Sequence, residues 1–393
     1  MLEEINNDRI NYYVNRVKRS HFEYECFSQN IKRIREVTLT AVKKSGRNLE
    51  YAPKLFWEDK EIVYAALKFF PNFYKDLSEE MKKDPKIINR ALKSNGLMLE
   101  HVPREIVTKK LIIKAIENNG NALNFFPEYL ENKEMILLAI KTKPLIIGKS
   151  SFEIRRDIEV AKQAVALDGL TLSYFSLKIQ DNEEIVKLAV NNNGDALEFV
   201  SNRLKQNREI CLIALNNSGD AIENVPVALI EDEEIMIKAI SKDKSNVKYL
   251  KKENKLYKSH SFAKFIINNS FYVFSYFSEE IKDDKEIALI AMKRDGTNIS
   301  SVSSRLSKDR DVIIEAIKNS PYAMSYIRRE NITMDILEEL REDKEFINYL
   351  ERKQDKENFR ELLENIQAIN RSVKLRNKLN NENLQNDKPR KKI

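Results

Sequence analysis

The chain has 393 residues and combines a modest positive charge with an unusually low glycine content. It contains 68 Lys and Arg against 61 Asp and Glu, so its formal net charge is +7. Only 8 residues are Gly and 9 are Pro, which disfavours turn-rich all-β folds and glycine-loop nucleotide sites. Two cysteines and three histidines are too few for a disulfide framework or a zinc site, so we expect no metal and no cofactor.

The first 33 residues carry a weak helical pattern and are predicted to form a degenerate repeat that caps the N-terminus. The beginning of the sequence lacks the basic and apolar regions of a secretory signal peptide. No apolar run approaches the length of about 18 residues that a transmembrane helix needs. We therefore expect a cytoplasmic protein without a transmembrane segment, or one that is exported by a route not using a Sec-type signal.

Residues 34–330 contain a pattern that returns about every 25 residues. Alignment of the copies on a small central residue gives twelve anchors with a mean spacing of 25 residues. The residue eight positions after the anchor was not used to make this alignment, so it provides a test of it. This residue is apolar or aromatic in every copy. The anchors are Ala41, Ala66, Ala91, Ala115, Ala139, Ala164, Ala189, Ala214, Ala239, Phe265, Ala291 and Ala316.

Each copy predicts one α-helix of about three turns, followed by one or two short helical segments. Seven residues before the anchor, most copies carry Asp, Asn or Thr, whose oxygen atoms can accept from the free N–H groups of a helix start. Apolar residues around the anchor form one face of the helix. Gly follows five residues after the anchor in seven copies, where we expect it to end the helix in the left-handed conformation.

A three-turn helix with a short partner cannot bury its apolar face alone, so neighbouring copies must stack. The predicted fold is all-α: an elongated α-solenoid of about twelve 25-residue helical repeats with terminal caps. After residue 330 the glycines no longer recur. Residues 331–379 are therefore predicted to form a C-terminal helical cap, and residues 380–393 a basic, disordered tail.

Copies built as Asp-x-Glu-Ile-x-x-x-Ala-Val-x-x-x-Gly-x-x-Leu-x-x-Val, clearest in residues 182–200 and 207–225, resemble a known family. This is the tandem helical repeat family catalogued as domain of unknown function 4116, and the resemblance covers roughly residues 34–330. Lys244 and Ser270 at the glycine position and Phe265 at the anchor depart from the pattern. The resemblance implies a repeat scaffold and no known activity.

Seven aromatic or imidazole side chains recur ten residues after the anchor and are the candidate interaction surface. If they face outward, they form a ladder that can stack on bases, as in helical repeats that read one base per copy. The alternative is that they pack between neighbouring copies. They are Tyr51, His101, Phe125, Tyr174, Phe199, Tyr249 and Tyr326.

Asparagines near the ends of the main helices offer a second polar ladder, which could grip a peptide backbone or could cap the helices. Charge is also uneven along the chain. Residues 181–240 hold 12 acids and 5 bases, whereas residues 241–270 hold 8 bases and 2 acids. Such adjacent acidic and basic stretches favour partners selected by charge, although many of the acids are also expected as helix caps.

These patterns predict a non-catalytic protein–protein interaction scaffold whose partner is another protein. No catalytic residue is predicted, because the sequence lacks P-loop, zinc-protease, nucleophile-elbow and Cys-x-x-Cys motifs. Cys26 with His21 five residues away is a weak nucleophile candidate. The alternative function is RNA or single-stranded nucleic-acid binding through the aromatic ladder and the basic tail, and a third is an enzyme with a site in a groove between repeats.

Overall fold

The computed structural model describes residues 7–269, 273–353 and 357–386, and the regular elements in these residues are all helices. The chain forms two units that divide between Asn217 and Ser218. This boundary falls inside the array of repeats, and each unit is an all-α repeat solenoid. No helix within the described ranges is both long enough and apolar enough to span a membrane.

A typical repeat consists of a main α-helix, a 3₁₀ helix and a short third helix. In one repeat these are Glu183–Asn192, Gly194–Phe199 and Asn202–Lys205. The segment that the sequence pattern predicts as a short apolar turn is therefore itself a 3₁₀ helix. Within each unit, main helices of successive repeats pack against one another, and so do successive 3₁₀ helices. The repeats thus build a layer of α-helices and a layer of 3₁₀ helices.

The main helices occupy equivalent places in successive repeats. They are Arg35–Lys44, Lys60–Ala66, Pro85–Ser94, Lys109–Asn118, Lys133–Ile140, Ile158–Leu167, Glu183–Asn192, Arg208–Asn217, Glu233–Lys242, His260–Asn269, Lys285–Arg294 and Arg310–Asn319. The 3₁₀ helices of the second layer are Gly46–Tyr51, Pro71–Asp76, Gly96–His101, Gly120–Phe125, Pro144–Lys149, Gly169–Tyr174, Gly194–Phe199, Gly219–Asn224, Lys244–Tyr249, Phe274–Tyr276, Gly296–Ser301 and Pro321–Tyr326. The third helices are Lys54–Trp57, Glu79–Lys83, Arg104–Ile106, Pro127–Tyr129, Ile154–Arg156, Leu177–Gln180, Asn202–Lys205, Val227–Ile230, Lys255–Lys258, Glu279–Lys282, Leu306–Lys308 and Arg329–Asn331.

The predicted starts of the main helices are confirmed. Seven residues before the anchor, a side-chain oxygen accepts a hydrogen bond from a backbone N–H two or three residues later. Each such cap stabilises the helix by about 1 kcal/mol. The capping residues are Asp59, Asp84, Thr108, Asn132, Asp157, Asn182, Asn207, Asp232, Asp284 and Asp309.

The glycines that follow the main helices have a different role from the predicted one. No glycine in the described residues has a positive φ, so the expected left-handed conformation is wrong. Five of them, Gly46, Gly96, Gly120, Gly169 and Gly296, instead lie against the backbone of the next repeat. A Cβ atom on Gly96 would lie 2.1 Å from the carbonyl oxygen of Ala115, and one on Gly169 would lie 2.3 Å from that of Ala189. The glycine of one repeat and the alanine anchor of the next therefore form a single close contact.

An asparagine three residues after the anchor bridges this contact. Asn192 accepts a hydrogen bond from the N–H of Gly169 at 2.8 Å and donates one to the carbonyl of Ala166 at 2.9 Å. Both backbone groups lie at helix ends of the preceding repeat, where partners within the helix are lacking. Equivalent bridges are made by Asn118, Asn217, Asn319 and, through its hydroxyl, Thr142. These asparagines cap helices across repeats, so they are not free to grip a peptide.

Replacement of one bridge should weaken the stack measurably. We expect Asn192→Ala to lower the free energy of unfolding by about 2 kcal/mol, because it leaves the N–H of Gly169 and the carbonyl of Ala166 without their partner. Urea unfolding followed by circular dichroism measures this change. Asn191→Ala is the matched control, since Asn191 is exposed like Asn192 but its side chain does not make the bonds to Gly169 and Ala166. Equal losses in both variants would contradict the bridge.

One repeat has a register different from the predicted one. The main helices bury their third, fourth, seventh and eighth residues, and in His260–Asn269 the seventh residue is Ile266. Phe265, assigned as the anchor from the sequence, is 47% exposed instead. The oxygen of Ser259, seven residues before Ile266, accepts from the N–H of Phe262 at 3.3 Å. The anchor of this repeat is therefore Ile266.

Further helices flank the twelve repeats at both ends. The N-terminal ones are Asn7–Arg19, Glu23–Cys26 and Gln29–Lys32, and the C-terminal ones are Met334–Leu340, Lys344–Arg352 and Glu357–Asn386. Asp343 separates the first two C-terminal helices, because it caps the second by accepting from the N–H of Phe346 at 2.9 Å. The helix Glu357–Asn386 extends past residue 380, where the predicted tail begins, and residues 1–6 and 387–393 lie outside the described residues.

Candidate interaction surfaces

The seven predicted side chains all occupy the same place in their repeats. Each is the last residue of a 3₁₀ helix, as His101 is in Gly96–His101 and Phe199 is in Gly194–Phe199. Because successive 3₁₀ helices pack together within a unit, the side chains recur along one layer of each unit. We call this set the aromatic row: Tyr51, His101, Phe125, Tyr174, Phe199, Tyr249 and Tyr326.

Every member of the aromatic row is partly accessible to solvent. Tyr174 is 38% exposed and Tyr326 is 49% exposed. The others are half-buried, namely Tyr51, His101, Phe125, Phe199 and Tyr249. The row therefore combines side chains that are held by the protein with ring surface that is open to a partner.

Several rings are held by the repeat that precedes them. The ring of Tyr174 lies over Gly148, where a Cβ atom would come within 2.7 Å of its Cε1 atom. The hydroxyl of Tyr249 donates a hydrogen bond to the Glu223 carboxylate at 3.4 Å. These contacts fix part of each ring against its neighbour, so the two alternatives considered from the sequence, packing and exposure, coexist in the same residue.

Three tyrosines of the row, Tyr51, Tyr249 and Tyr326, have raised pKa values and are neutral near physiological pH. The negative charge of Glu25 raises the pKa of Tyr51. Burial, reinforced by the Glu223 carboxylate, raises the pKa of Tyr249, and a hydrogen bond to a neighbouring tyrosine raises that of Tyr326. These three tyrosines thus offer uncharged rings and hydroxyl groups, which suit packing, stacking and hydrogen bonding rather than proton transfer.

The structure adds one residue to the row that the sequence pattern missed. Tyr276 ends the 3₁₀ helix Phe274–Tyr276 and is 46% exposed. It follows Ile266 by ten residues, the spacing shared by the other members. Assignment of Phe265 as the anchor displaced the expected position by one residue, and the cap at Ser259 was the signal that could have corrected it.

The weak nucleophile candidate gains no supporting geometry. Cys26 is exposed, and the ring of His21 lies against that of Phe22 with centroids 4.1 Å apart. Cys211 is buried and its thiol donates to the carbonyl of Lys205 at 3.1 Å, and burial raises its pKa to about 11. In the parts of the chain that the structure describes, no group of three His, Cys, Asp or Glu side chains could hold a metal ion.

Comparison with models of protein families shows which family the repeats belong to. The model of the domain of unknown function DUF4116 matches residues 34–75, 59–107, 108–155, 132–180, 157–205, 182–230, 207–255, 260–306 and 284–332, which together make up more than half of the chain. The chain belongs to the DUF4116 family. Successive matches begin at residues 132, 157, 182 and 207, so one DUF4116 model covers two of the 25-residue repeats. No curated protein and no solved structure matches the chain.

Proposed function

We propose that this DUF4116 chain is a non-catalytic scaffold that binds another protein along its repeat surface. The observation that carries the proposal is the aromatic row, which places a partly exposed ring at the same position of many repeats. Aromatic side chains supply much of the binding energy in protein interfaces, and repeat proteins bind through extended surfaces of this kind.

The mechanism is the addition of modest contacts over several repeats. Rings already held by the preceding repeat, as Tyr174 is over Gly148, lose little conformational entropy when a partner packs on them. Binding energy then accumulates without a deep pocket. The proposed location is the cytoplasm, of the producing cell or of a cell into which the protein is delivered.

The test compares capture of native partners by two double variants. We expect Tyr174→Ala with Tyr326→Ala to reduce the recovered partner about tenfold, which corresponds to about 1.4 kcal/mol of binding energy. The matched control is Phe69→Ala with Phe152→Ala, since these rings are 56% and 59% exposed but lie outside the row. Quantitative mass spectrometry of cross-linked complexes measures recovery and maps the contact. Full recovery with the row variant, or an equal loss with both variants, would refute the proposal.

RNA or single-stranded nucleic acid is the second candidate, because one accessible ring per repeat also suits base stacking. Filter binding at several salt concentrations tests it, with and without residues 380–393. Nucleic-acid binding through the row and the tail requires an affinity that falls with salt and with truncation. An affinity indifferent to both changes would exclude it.

A further inference from the structure

A basic groove lies on the main-helix layer, away from the aromatic row. It runs across the main helices Lys60–Ala66, Pro85–Ser94 and Lys109–Asn118 and encloses about 720 Å³. This volume is typical of sites that hold a small molecule or a few residues of peptide. The basic side chains that define the groove are Lys60, Lys86, Arg90, Lys93 and Lys114, and Tyr64 and the acids Glu61 and Asp84 also line it.

The groove lies where a helix position that is acidic in most repeats is occupied by lysine. The second residue of a main helix is otherwise acidic, except for a serine in His260–Asn269, yet it is Lys86 and Lys110 in two consecutive repeats. The acidic residues at this position are Glu36, Glu61, Glu134, Glu159, Glu184, Glu209, Glu234, Glu286 and Asp311.

The acid that recurs at this position can pair with a basic residue of the preceding repeat, which a lysine cannot do. Glu61 pairs with Arg35 of the preceding repeat at 2.8 Å, and Glu159 pairs with Lys133 of its preceding repeat at 2.6 Å. An acid in the first turn also interacts favourably with the helix dipole, whereas a lysine there does not. Lys86 can make neither this ion pair nor the favourable interaction with the helix dipole. The stability of the fold therefore does not explain why a lysine occupies this position.

The positive charge in the groove is largely unneutralised. Lys60 pairs with Asp84 at 2.6 Å, but among the described residues Lys86, Arg90, Lys93 and Lys114 form no ion pair. The guanidinium of Arg90 lies 4.9 Å from the centre of the Tyr64 ring, and its Nε atom is buried without a hydrogen-bond partner in the described part of the chain. This cation–π contact holds the guanidinium against Tyr64, and its N–H groups can donate to an anionic acceptor.

We infer that the basic groove binds a short acidic segment, rich in Glu or Asp, of a protein partner. The inference rests on the proposed scaffold function and names the partner chemistry for a second surface of the same unit. Carboxylates of the segment accept from the guanidinium of Arg90 and from the ammonium groups of Lys86 and Lys114. The aromatic face of Tyr64 and the apolar Ile87 line the same groove and accommodate the aliphatic parts of the segment.

The surroundings of the groove favour a peptide over a nucleic acid. Acids return at the same helix position on both sides, with Glu134 after the two lysines and Glu61 before them, where it lines the groove and pairs with Arg35. A long polyanion that followed the main-helix layer would meet these carboxylates and be repelled. A segment of a few acidic residues fits within the basic stretch, which spans only two repeats.

Binding of a labelled peptide tests the inference on the full-length chain. The probe is a peptide with six consecutive glutamates, and the reference probe has glutamines in their place. We expect the wild type to bind the glutamate peptide and Lys86→Glu, at a residue that lines the groove, to weaken this binding at least tenfold, as fluorescence anisotropy measures. The control, Lys251→Glu, makes the same change in net charge at an exposed lysine elsewhere and should keep the affinity within twofold.

The groove variant should remain folded, because its substitution restores the acid that most repeats carry at this position. Its melting temperature is expected to equal or exceed that of the wild type while peptide binding falls. Equal weakening by both charge variants would overturn the inference, as would tighter binding of a single-stranded oligonucleotide with six phosphates. If the peptide does not bind but partners are still captured through the aromatic row, only the inference about the groove is refuted. If the peptide binds but no partner is captured, the proposed scaffold function is refuted.

Discussion

Gly96→Ala should destabilise the protein by about 3 kcal/mol, although it adds a single methyl group. The added Cβ atom would lie 2.1 Å from the carbonyl oxygen of Ala115 and 3.2 Å from the backbone nitrogen of Asn119. Both are backbone atoms of the next repeat, so no side-chain rotation relieves the overlap. The two repeats must separate, and the hydrogen bond from the N–H of Gly96 to Asn118 is then lost. Thermal or urea unfolding measures the change.

Gly148→Ala is the matched control for this experiment. The three atoms nearest to a Cβ atom at Gly148 are all ring atoms of Tyr174, the closest at 2.7 Å. Tyr174 is 38% exposed, so its ring can shift outward and still pack on the added methyl group, and we expect a loss below about 1 kcal/mol. Similar losses at the two glycines would show that the close approach of repeats at Gly96 is not what stabilises the stack.

Ala189→Glu should be more damaging still, with a loss of about 4 kcal/mol or more. Ala189 is fully buried, and its carbonyl oxygen is the atom that a Cβ on Gly169 would touch. A glutamate there adds volume at a close contact and places a carboxylate away from water. The expected result is a large fall in melting temperature by circular dichroism.

Leu188→Glu separates this effect from a general effect of charge on the helix. Leu188 precedes Ala189 and is 38% exposed, so a carboxylate at this position stays hydrated. We expect a loss of about 0.5 kcal/mol, mainly from repulsion by Glu184 four residues earlier. An unchanged melting temperature for Ala189→Glu would mean that the anchor is exposed and the repeat register wrong.

The helices of this protein are largely predictable from its sequence because three signals recur in phase. The cap seven residues before the anchor, the apolar face and the glycine after the helix agree in most repeats. Where several of these signals are missing from the same repeat, the predicted register of that repeat is wrong. Lys244 replaces the glycine and Ile266 replaces the alanine of the same junction, so a register one residue away, with Phe265 at the anchor, matched the pattern as well.

The physical role of the glycines could not be read from the sequence. A glycine after a helix fits both a left-handed cap and a close approach of two backbones, and only the neighbouring repeat distinguishes them. The pairing of Gly169 with Asn192 likewise joins residues that are 23 positions apart. It follows from the way the repeats stack, which the one-dimensional pattern does not contain.

The two candidate surfaces differ in how far the sequence indicates them. The aromatic row was visible as a spacing, and only Tyr276 was missed, through the register error. The basic groove carried a signal that was overlooked: Lys86 and Lys110 interrupt a series of acids at one helix position. Exposure of the rings and enclosure of the groove depend on packing between repeats, so neither could be derived from the spacing alone.

Amide exchange at the glycines tests the stacking of repeats most directly. The chain has only 8 glycines, so selective ¹⁵N-glycine labelling gives a spectrum simple enough to assign. We predict that the amides of Gly96, Gly169 and Gly296, which donate to asparagines of the next repeat, exchange slowly. Gly46 and Gly219 should exchange faster, because the next repeats carry Phe69 and Lys242 at the asparagine position and neither side chain has an acceptor.

The decisive comparison is between the wild type and Asn192→Ala. The account predicts that exchange at Gly169 accelerates about tenfold or more, in line with the loss of a hydrogen bond worth about 1.4 kcal/mol, while Gly96 and Gly296 are unaffected. Exchange at Gly169 that is the same in both proteins would contradict the claim that each repeat is completed by side chains of the next.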